Sequence, residues 1–484
     1  MEPENVFVHF YCGLHVDPCR NNWSGPDGMI RSILVQIIAA LVDKDLLDLS
    51  FLNRRSFIRG LENHDTYTLC HLLHDLVQQF DPDTTIYCFI DGVSRFDVDY
   101  RGTFGLLKVI IDRIEGIVED DSLKPKLKKL APNTNTTLLD PDLPLSYGTT
   151  LGSVRLRERI AELHSSPEVE LTAANVVITP GSSMANHLVL ATLCGPGDHI
   201  ICQYPTYGPL YLLPKHSGVD VSLWELKEAE GWSLDLKELA NMIKPNTKVI
   251  IICNPNNPTG TIIPRDTLEQ VLGLAQKNHI VVFSDEVFSP LFHTKDQPPP
   301  LVSLGYPHTL STGSLSKAYA LPGIRIGWVV SQDKEIIRQV STLRDYTTIS
   351  VSLLDDSVGA FALSKEVLPR LMERNLRLFA ESITLLDGFV RRNAQRCRWT
   401  KPKGSGVAFV QILNKDGSAS DDLVFSKKLV EEAGITVLPG SYSFAEEGAN
   451  NLKGYLRIEI GSPERLREGL VAIEEFLHKY DFLR

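Results

Sequence analysis

Ser311-Thr312-Gly313-Ser314-Leu315-Ser316-Lys317, followed three residues on by Leu321-Pro322-Gly323-Ile324-Arg325-Ile326-Gly327-Trp328, is the stretch on which the fold turns. A Lys at the end of a small-residue strand is ordinarily solvated. Here it has company. A Lys that forms a Schiff base with an aldehyde must be lowered in pKa, and small neighbours let a bound group come close to it. Ser314 and Ser316 bring hydroxyls and Arg325 a guanidinium, groups suited to holding a phosphate near Lys317.

Short apolar strands alternate with helical stretches on either side: Asn175–Thr179, His199–Gln203, Lys248–Cys253, Ile280–Ser284, Thr309–Thr312 and Ile326–Val330. That rhythm predicts an α/β fold with a mostly parallel sheet covered by helices on both faces. Several of these strands end in polar motifs. Pro180-Gly181-Ser182-Ser183 opens a helix, and helix N-terminal amides with hydroxyls make an anion site, although an N-cap explains the same serines. Tyr204-Pro205-Thr206-Tyr207 follows the second strand, Asn254-Pro255-Asn256-Asn257-Pro258-Thr259-Gly260 the third, and Asp285-Glu286 the fourth. Tyr147-Gly148-Thr149-Thr150-Leu151-Gly152 precedes a helix expected over Ser153–His164. Beyond Asp333 a long helical tract is expected to about Arg392, and a smaller α+β unit over Trp399–Arg484 contains Tyr455-Leu456-Arg457-Ile458.

The pattern SxSKxxxxxGxRxGW over Ser314–Trp328 resembles the signature of class I/II aminotransferases, the fold-type I pyridoxal-phosphate enzymes, and the likeness extends over residues 140–484. It implies a large domain over 145–375 and a small C-terminal domain over 376–484. It also implies roles. Lys317 would hold pyridoxal 5′-phosphate and shuttle the proton, Asp285 would pair with the ring nitrogen, and Asn257 would bond the phenolic oxygen. Ser182, Ser183, Ser314, Ser316 and Arg325 would take the phosphate, and Tyr207 would stack on the ring. Tyr147 would reach the phosphate in a neighbouring subunit's site, which implies a homodimer. Arg457 would fork onto the substrate α-carboxylate. The implied reaction moves an amino group between an amino acid and a 2-oxo acid.

Family members usually carry a Tyr three residues after the ring-nitrogen Asp, and this chain has Phe288 there. Losing that donor alters the balance among reaction paths. The departure suits a role in specialised metabolism and keeps open a lyase, oxidase or cyclase on the same site. A non-catalytic interaction protein is the alternative from another class.

The first 120 residues form a separate α/β segment in this reading, with strands around Val6–Tyr11 and Ile86–Asp91, helices around Gly28–Val42, Tyr67–Phe80 and Leu106–Ile117, and a proline-rich linker over 121–144. They resemble part of the P-loop NTPase domains of the signal-transduction type found in fungal proteins. GxxxxGK[ST] occurs nowhere in the chain, so the amides and Lys that cradle phosphates are missing and no hydrolysis is expected.

The whole chain has 484 residues, 43% of them apolar, which suits a globular protein of several cores. A net charge of −11 disfavours nucleic acid or an anionic membrane as the main partner. Eight scattered cysteines without metal-binding spacing suit reduced thiols. No signal peptide or bilayer-spanning run is recognised, so the expectation is a cytoplasmic enzyme with no metal.

Overall fold

Apolar runs rich in Val and Ile, bounded by Gly, Pro and polar turns, form the strands. The computed structural model describes residues 6–11, 25–52, 55–82, 84–91, 109–110, 112–114, 117, 126–127, 147–446 and 452–480. The chain divides into two compact units, Met1–Leu138 and Leu139–Arg484.

In the first unit β1 (Val6–Tyr11) and β2 (Thr85–Asp91) pair in parallel, and β3 (Lys126–Leu127) adds to the far side of β2. β3 falls in the stretch expected to be a linker: its backbone completes the edge of β2 instead. The helix Gly25–Asp43 buries Met29, Ile30, Ile33, Ile37 and Leu41 at helical spacing, and the helix Thr66–Val77 adds Leu69, Leu73 and Leu76 to the same core. Half of the helix expected over 106–117 and most of the 121–144 stretch lie outside the described residues.

The second unit is built on seven described strands: β4 (Val176–Thr179), β5 (His199–Tyr204), β6 (Asp220–Glu225), β7 (Thr247–Cys253), β8 (Val281–Asp285), β9 (Thr309–Ser314) and β10 (Gly327–Ser331). Their order is β4-β10-β9-β8-β7-β5-β6. All neighbours are parallel except β10, which runs antiparallel to both β4 and β9. The inner strands are buried along nearly their whole length, as a sheet covered on two faces requires. β6 was not anticipated: it is an edge strand whose Asp220-Val-Ser-Leu-Trp-Glu225 lacks the continuous apolar run of its neighbours.

The expected single helical tract over 333–392 is three helices, Lys334–Asp345, Leu353–Ala362 and Leu368–Arg392. After the first, the Arg344 carbonyl takes the amides of Thr347, Thr348 and Ile349, which closes the turn, and Ser352 caps the next helix by accepting from Asp355 N. The small C-terminal sheet has the order β11-β12-β14-β13, made by β11 (Cys397–Trp399), β12 (Val407–Ile412), β13 (Leu438–Pro439) and β14 (Tyr455–Glu459), all antiparallel.

No helix among the described residues is long and apolar enough to cross a membrane, and none of their His, Cys, Asp and Glu side chains form a metal-binding group.

Candidate active site

Because β4, β5, β7, β8 and β9 are parallel, the motifs that follow them emerge along one edge of the sheet, where α/β folds place their ligands. β10 runs the other way, so residues just before its start reach that same edge. Gly327, its first residue, pairs with Thr179 at the end of β4 and with Ser314 at the end of β9. Arg325 is thereby delivered to both.

The anion cradle is assembled around Gly181. This glycine caps the helix Ser182–Leu193 at φ 85°, in the left-handed region that a side chain resists. A Cβ there would fall 2.3 Å from Arg325 Nη2, and one on Gly327 would fall 2.4 Å from the Gly181 carbonyl carbon. Arg325 Nη1 donates to Pro322 O at 2.7 Å and to Ser316 Oγ at 3.3 Å. Ser314 Oγ lies 2.8 Å from Ser316 Oγ and accepts the Ser316 amide at 3.0 Å. A guanidinium, two hydroxyls and the positive end of a twelve-residue helix therefore converge, a donor set that fits a phosphate dianion.

Asp285 ends β8 and is 2% exposed. Its Oδ2 accepts from Asn186 Nδ2 at 2.8 Å and its Oδ1 from the Val287 amide at 3.1 Å. Asn186 is itself oriented by Thr312, whose hydroxyl donates to Asn186 Oδ1 at 2.6 Å. Burial raises the Asp285 carboxyl above its ordinary range, and these two hydrogen bonds oppose the rise. No cation among the described residues pairs with it, so its charge fits a protonated ring nitrogen.

Asn257 is buried in the turn after β7, and its Oδ1 accepts from Arg457 Nη1 at 3.3 Å. This contact ties β14 of the small sheet to the large one. Arg457 Nε is buried with no partner, and the guanidinium lies 5.6 Å from the centre of the Phe444 ring. Burial lowers the Arg457 pKa, with Glu459 acting against it. Such an arginine suits a planar carboxylate.

The remaining candidates stand apart from these contacts. Lys317 follows the end of β9 and is exposed, with no ion pair among the described residues. Ser182 is half-buried and Ser183 exposed in the first turn of their helix; Tyr207 is 36% and Tyr147 82% exposed. Phe288 is buried with its ring against Gly406, where a Cβ would fall 3.3 Å from Phe288 Cε1. Asn186 escaped the sequence reading. Its signal was a polar residue four after Ser182, among the apolar residues of the helix's buried face. Gly181 and Gly327 were equally readable as glycines at strand ends but not as the two backbones that must touch.

The class I and II aminotransferase family model matches residues 115–473. Tyrosine aminotransferase of Bos taurus is 28% identical over 347 residues, covering 69% of this chain and 74% of the relative. Aspartate aminotransferase of Thermotoga maritima is 27% identical over 384 residues, covering 74% and 95%. A pyridoxal-phosphate-dependent aminotransferase from Streptococcus suis superposes with a TM-score of 0.63 at 33% identity, covering 70% of this chain and 85% of that one. Match and geometry agree: this chain belongs to the class I and II aminotransferases, pyridoxal-phosphate enzymes that transfer an amino group between an amino acid and a 2-oxo acid.

Proposed function

We propose that residues 145–375 and 376–484 form the large and small domains of a homodimeric cytoplasmic aminotransferase with its active sites shared between subunits and Lys317 as the catalytic residue. The observation that carries the reading is the convergence, on the sheet edge where Lys317 follows β9, of the Gly181–Ser316–Arg325 cradle, the buried Asp285 and the Asn257–Arg457 pair. The bound cofactor supplies an electron-accepting ring that stabilises negative charge at the substrate Cα. Ser182, Ser183, Ser314, Ser316 and Arg325 bind the phosphate. Asp285 holds a proton on the ring nitrogen, Asn257 bonds the phenolic oxygen, and Tyr207 fixes the ring plane. Arg457 would orient the substrate by its carboxylate, and Lys317 Nζ would take and hold the proton from the substrate Cα. Tyr147, exposed in the single chain, reaches the phosphate of a second copy.

Phe288 supports a role in specialised metabolism, since a buried apolar ring offers no donor at that position. Cys88, Cys194, Cys202, Cys253 and Cys397 form no disulfide among the described residues, which suits the reducing cytoplasm. Residues 1–120 are read as a partial NTPase-like module without hydrolysis, supported by the parallel β1–β2 pair ending at Asp91.

The test is spectroscopic. Purified chain given pyridoxal phosphate is expected to show a visible absorption band that an added amino donor discharges in one turnover. Lys317→Ala should lose the band and lower turnover by roughly 10²–10⁴-fold or more, the usual worth of a positioned acid/base. A protein that takes up no cofactor sinks the reading, and a band that persists in Lys317→Ala removes Lys317 from it.

A further inference from the structure

Arg344, at the end of the helix Lys334–Asp345, is 0% exposed, and none of its three guanidinium nitrogens has a hydrogen-bond partner among the described residues. A charge so placed is expensive without a counter-charge. The carboxylates that act on it are those of Asp345, which is exposed, and Asp356, which is buried. Asp356 turns its Oδ2 to the Ser153 amide at 2.9 Å, and a Cβ on Gly152 would come within 3.3 Å of the same oxygen. Arg157 grips the turn from the other side, donating through Nε to Gly152 O at 3.1 Å and through Nη1 to Ala173 O at 2.6 Å. It too lies in the field of Asp356. The Asp356 carboxylate, through the Ser153 amide, and the Arg157 guanidinium, through the carbonyls of Gly152 and Ala173, therefore hold the backbone at Gly152–Ser153.

The segment running back from that turn to Tyr147 packs against the turn that follows Arg344. A Cβ on Gly148 would fall 2.7 Å from Leu353 Cδ2 and 3.8 Å from Val351 O. The Arg344 carbonyl accepts the amides of Thr347, Thr348 and Ile349 at 3.0, 3.0 and 3.1 Å, and Ile349 is held at φ 58°, a region that β-branched residues avoid. Arg344 thus closes one wall of the Tyr147 segment through its carbonyl, and its buried guanidinium, without a hydrogen-bond partner among the described residues, needs a counter-charge that the buried Asp356 at the root of that segment can supply.

We propose that Arg344 and Asp356 are positioning residues for the active site of a second copy of this chain: they fix the Tyr147–Ser153 segment so that Tyr147 meets the partner's phosphate. The inference rests on the shared-site reading of Tyr147 given above.

A hybrid dimer tests it. Two differently tagged chains are co-expressed, one carrying Lys317→Ala and the other Arg344→Met, and the hybrid is isolated by both tags. Its only Lys317 belongs to the Arg344→Met chain, whose site receives Tyr147 from the chain with an intact Arg344. The Arg344→Met homodimer is expected to bind pyridoxal phosphate about tenfold more weakly than wild type, read from the visible band on titration. The hybrid is expected to bind at wild-type strength. A hybrid as weak as the Arg344→Met homodimer places the effect within its own subunit and overturns the proposal, as does an unweakened homodimer. The same cross with Asp356→Ala, which removes the acceptor of the Ser153 amide and leaves Arg344 whole, decides the matter if Arg344→Met fails to fold. Tyr147→Phe crossed with Lys317→Ala separates the two readings. Failure of that hybrid to recover sinks the shared site and this inference with it; recovery there without recovery for Arg344→Met and Asp356→Ala sinks this inference alone.

Discussion

Arg457 illustrates how much one side chain can carry. Its guanidinium is desolvated, spends one nitrogen on Asn257 Oδ1 at 3.3 Å, and keeps Nε unpartnered. A Lys there would offer a point charge without the planar fork. Arg457→Lys is therefore expected to raise KM for the amino donor by about 10–100-fold, the worth of one charge-assisted hydrogen bond, while the visible band of the bound cofactor is kept. Steady-state kinetics beside a cofactor titration check this, and an unchanged KM would remove Arg457 from substrate binding. Asp285 and Asn257 were singled out by the family resemblance of the motifs that hold them. The partner that aims Asp285, Asn186, was not, because a polar residue on the buried face of a helix marks an inward position without saying which group it meets.

At the scale of elements, the cradle depends on two glycines with different neighbours. A Cβ at Gly181 would press on the Arg325 side chain, which can swing, whereas one at Gly327 would press on the Gly181 and Ser182 backbone, which cannot. Gly181→Ala is expected both to weaken pyridoxal phosphate binding and, through the strain of a side chain at φ 85°, to lower Tm, and Gly327→Ala to lower Tm more strongly; thermal melts with and without cofactor separate the two.

A second element-level feature lies where β8 and β10 meet the helix Val154–His164. Glu286 is buried, with Oε1 accepting the Leu301 amide at 2.9 Å and Oε2 standing 3.8 Å from His164 Nδ1, while Trp328 Nε1 donates to His164 Nε2 at 3.1 Å. Burial pushes Glu286 up to about 7 and His164 down to about 4. Between its ordinary 4.5 and about 7, Glu286 keeps a proton in the folded chain that the unfolded chain releases, so its contribution to stability falls as pH rises. His164 acts oppositely between about 4 and 6.5, where the unfolded chain binds the extra proton. Glu286→Gln should remove the falling limb. Relative to wild type its stability should improve from pH 5 to pH 8 by on the order of 1–3 kcal/mol, read from urea midpoints, and parallel pH curves would refute the assignment.

At the scale of the molecule, each unit has its own core, one gathered around the helix Gly25–Asp43 and the others around the large and small sheets. Every candidate residue belongs to the second unit. Calorimetry is expected to resolve two transitions, with pyridoxal phosphate at 100 times its Kd raising only that of Leu139–Arg484, by about 2.7 kcal/mol. Equal shifts in both, or a single transition, would contradict separate stability. The sequence by itself determined the strands with continuous apolar runs, because period and turn chemistry are local and survive without neighbours, and its motifs carried the family resemblance that implies the cofactor class and the candidate residues. The edge strand β6, the breaks in the 333–392 tract and the pairing β2–β3 depend on what lies alongside, and only the tertiary structure decided them. The same holds for Asn186 against Asp285, 99 residues apart, and Arg457 against Asn257, 200 apart. Which strand ends share an edge is a property of sheet order, and no local pattern in the chain encodes it.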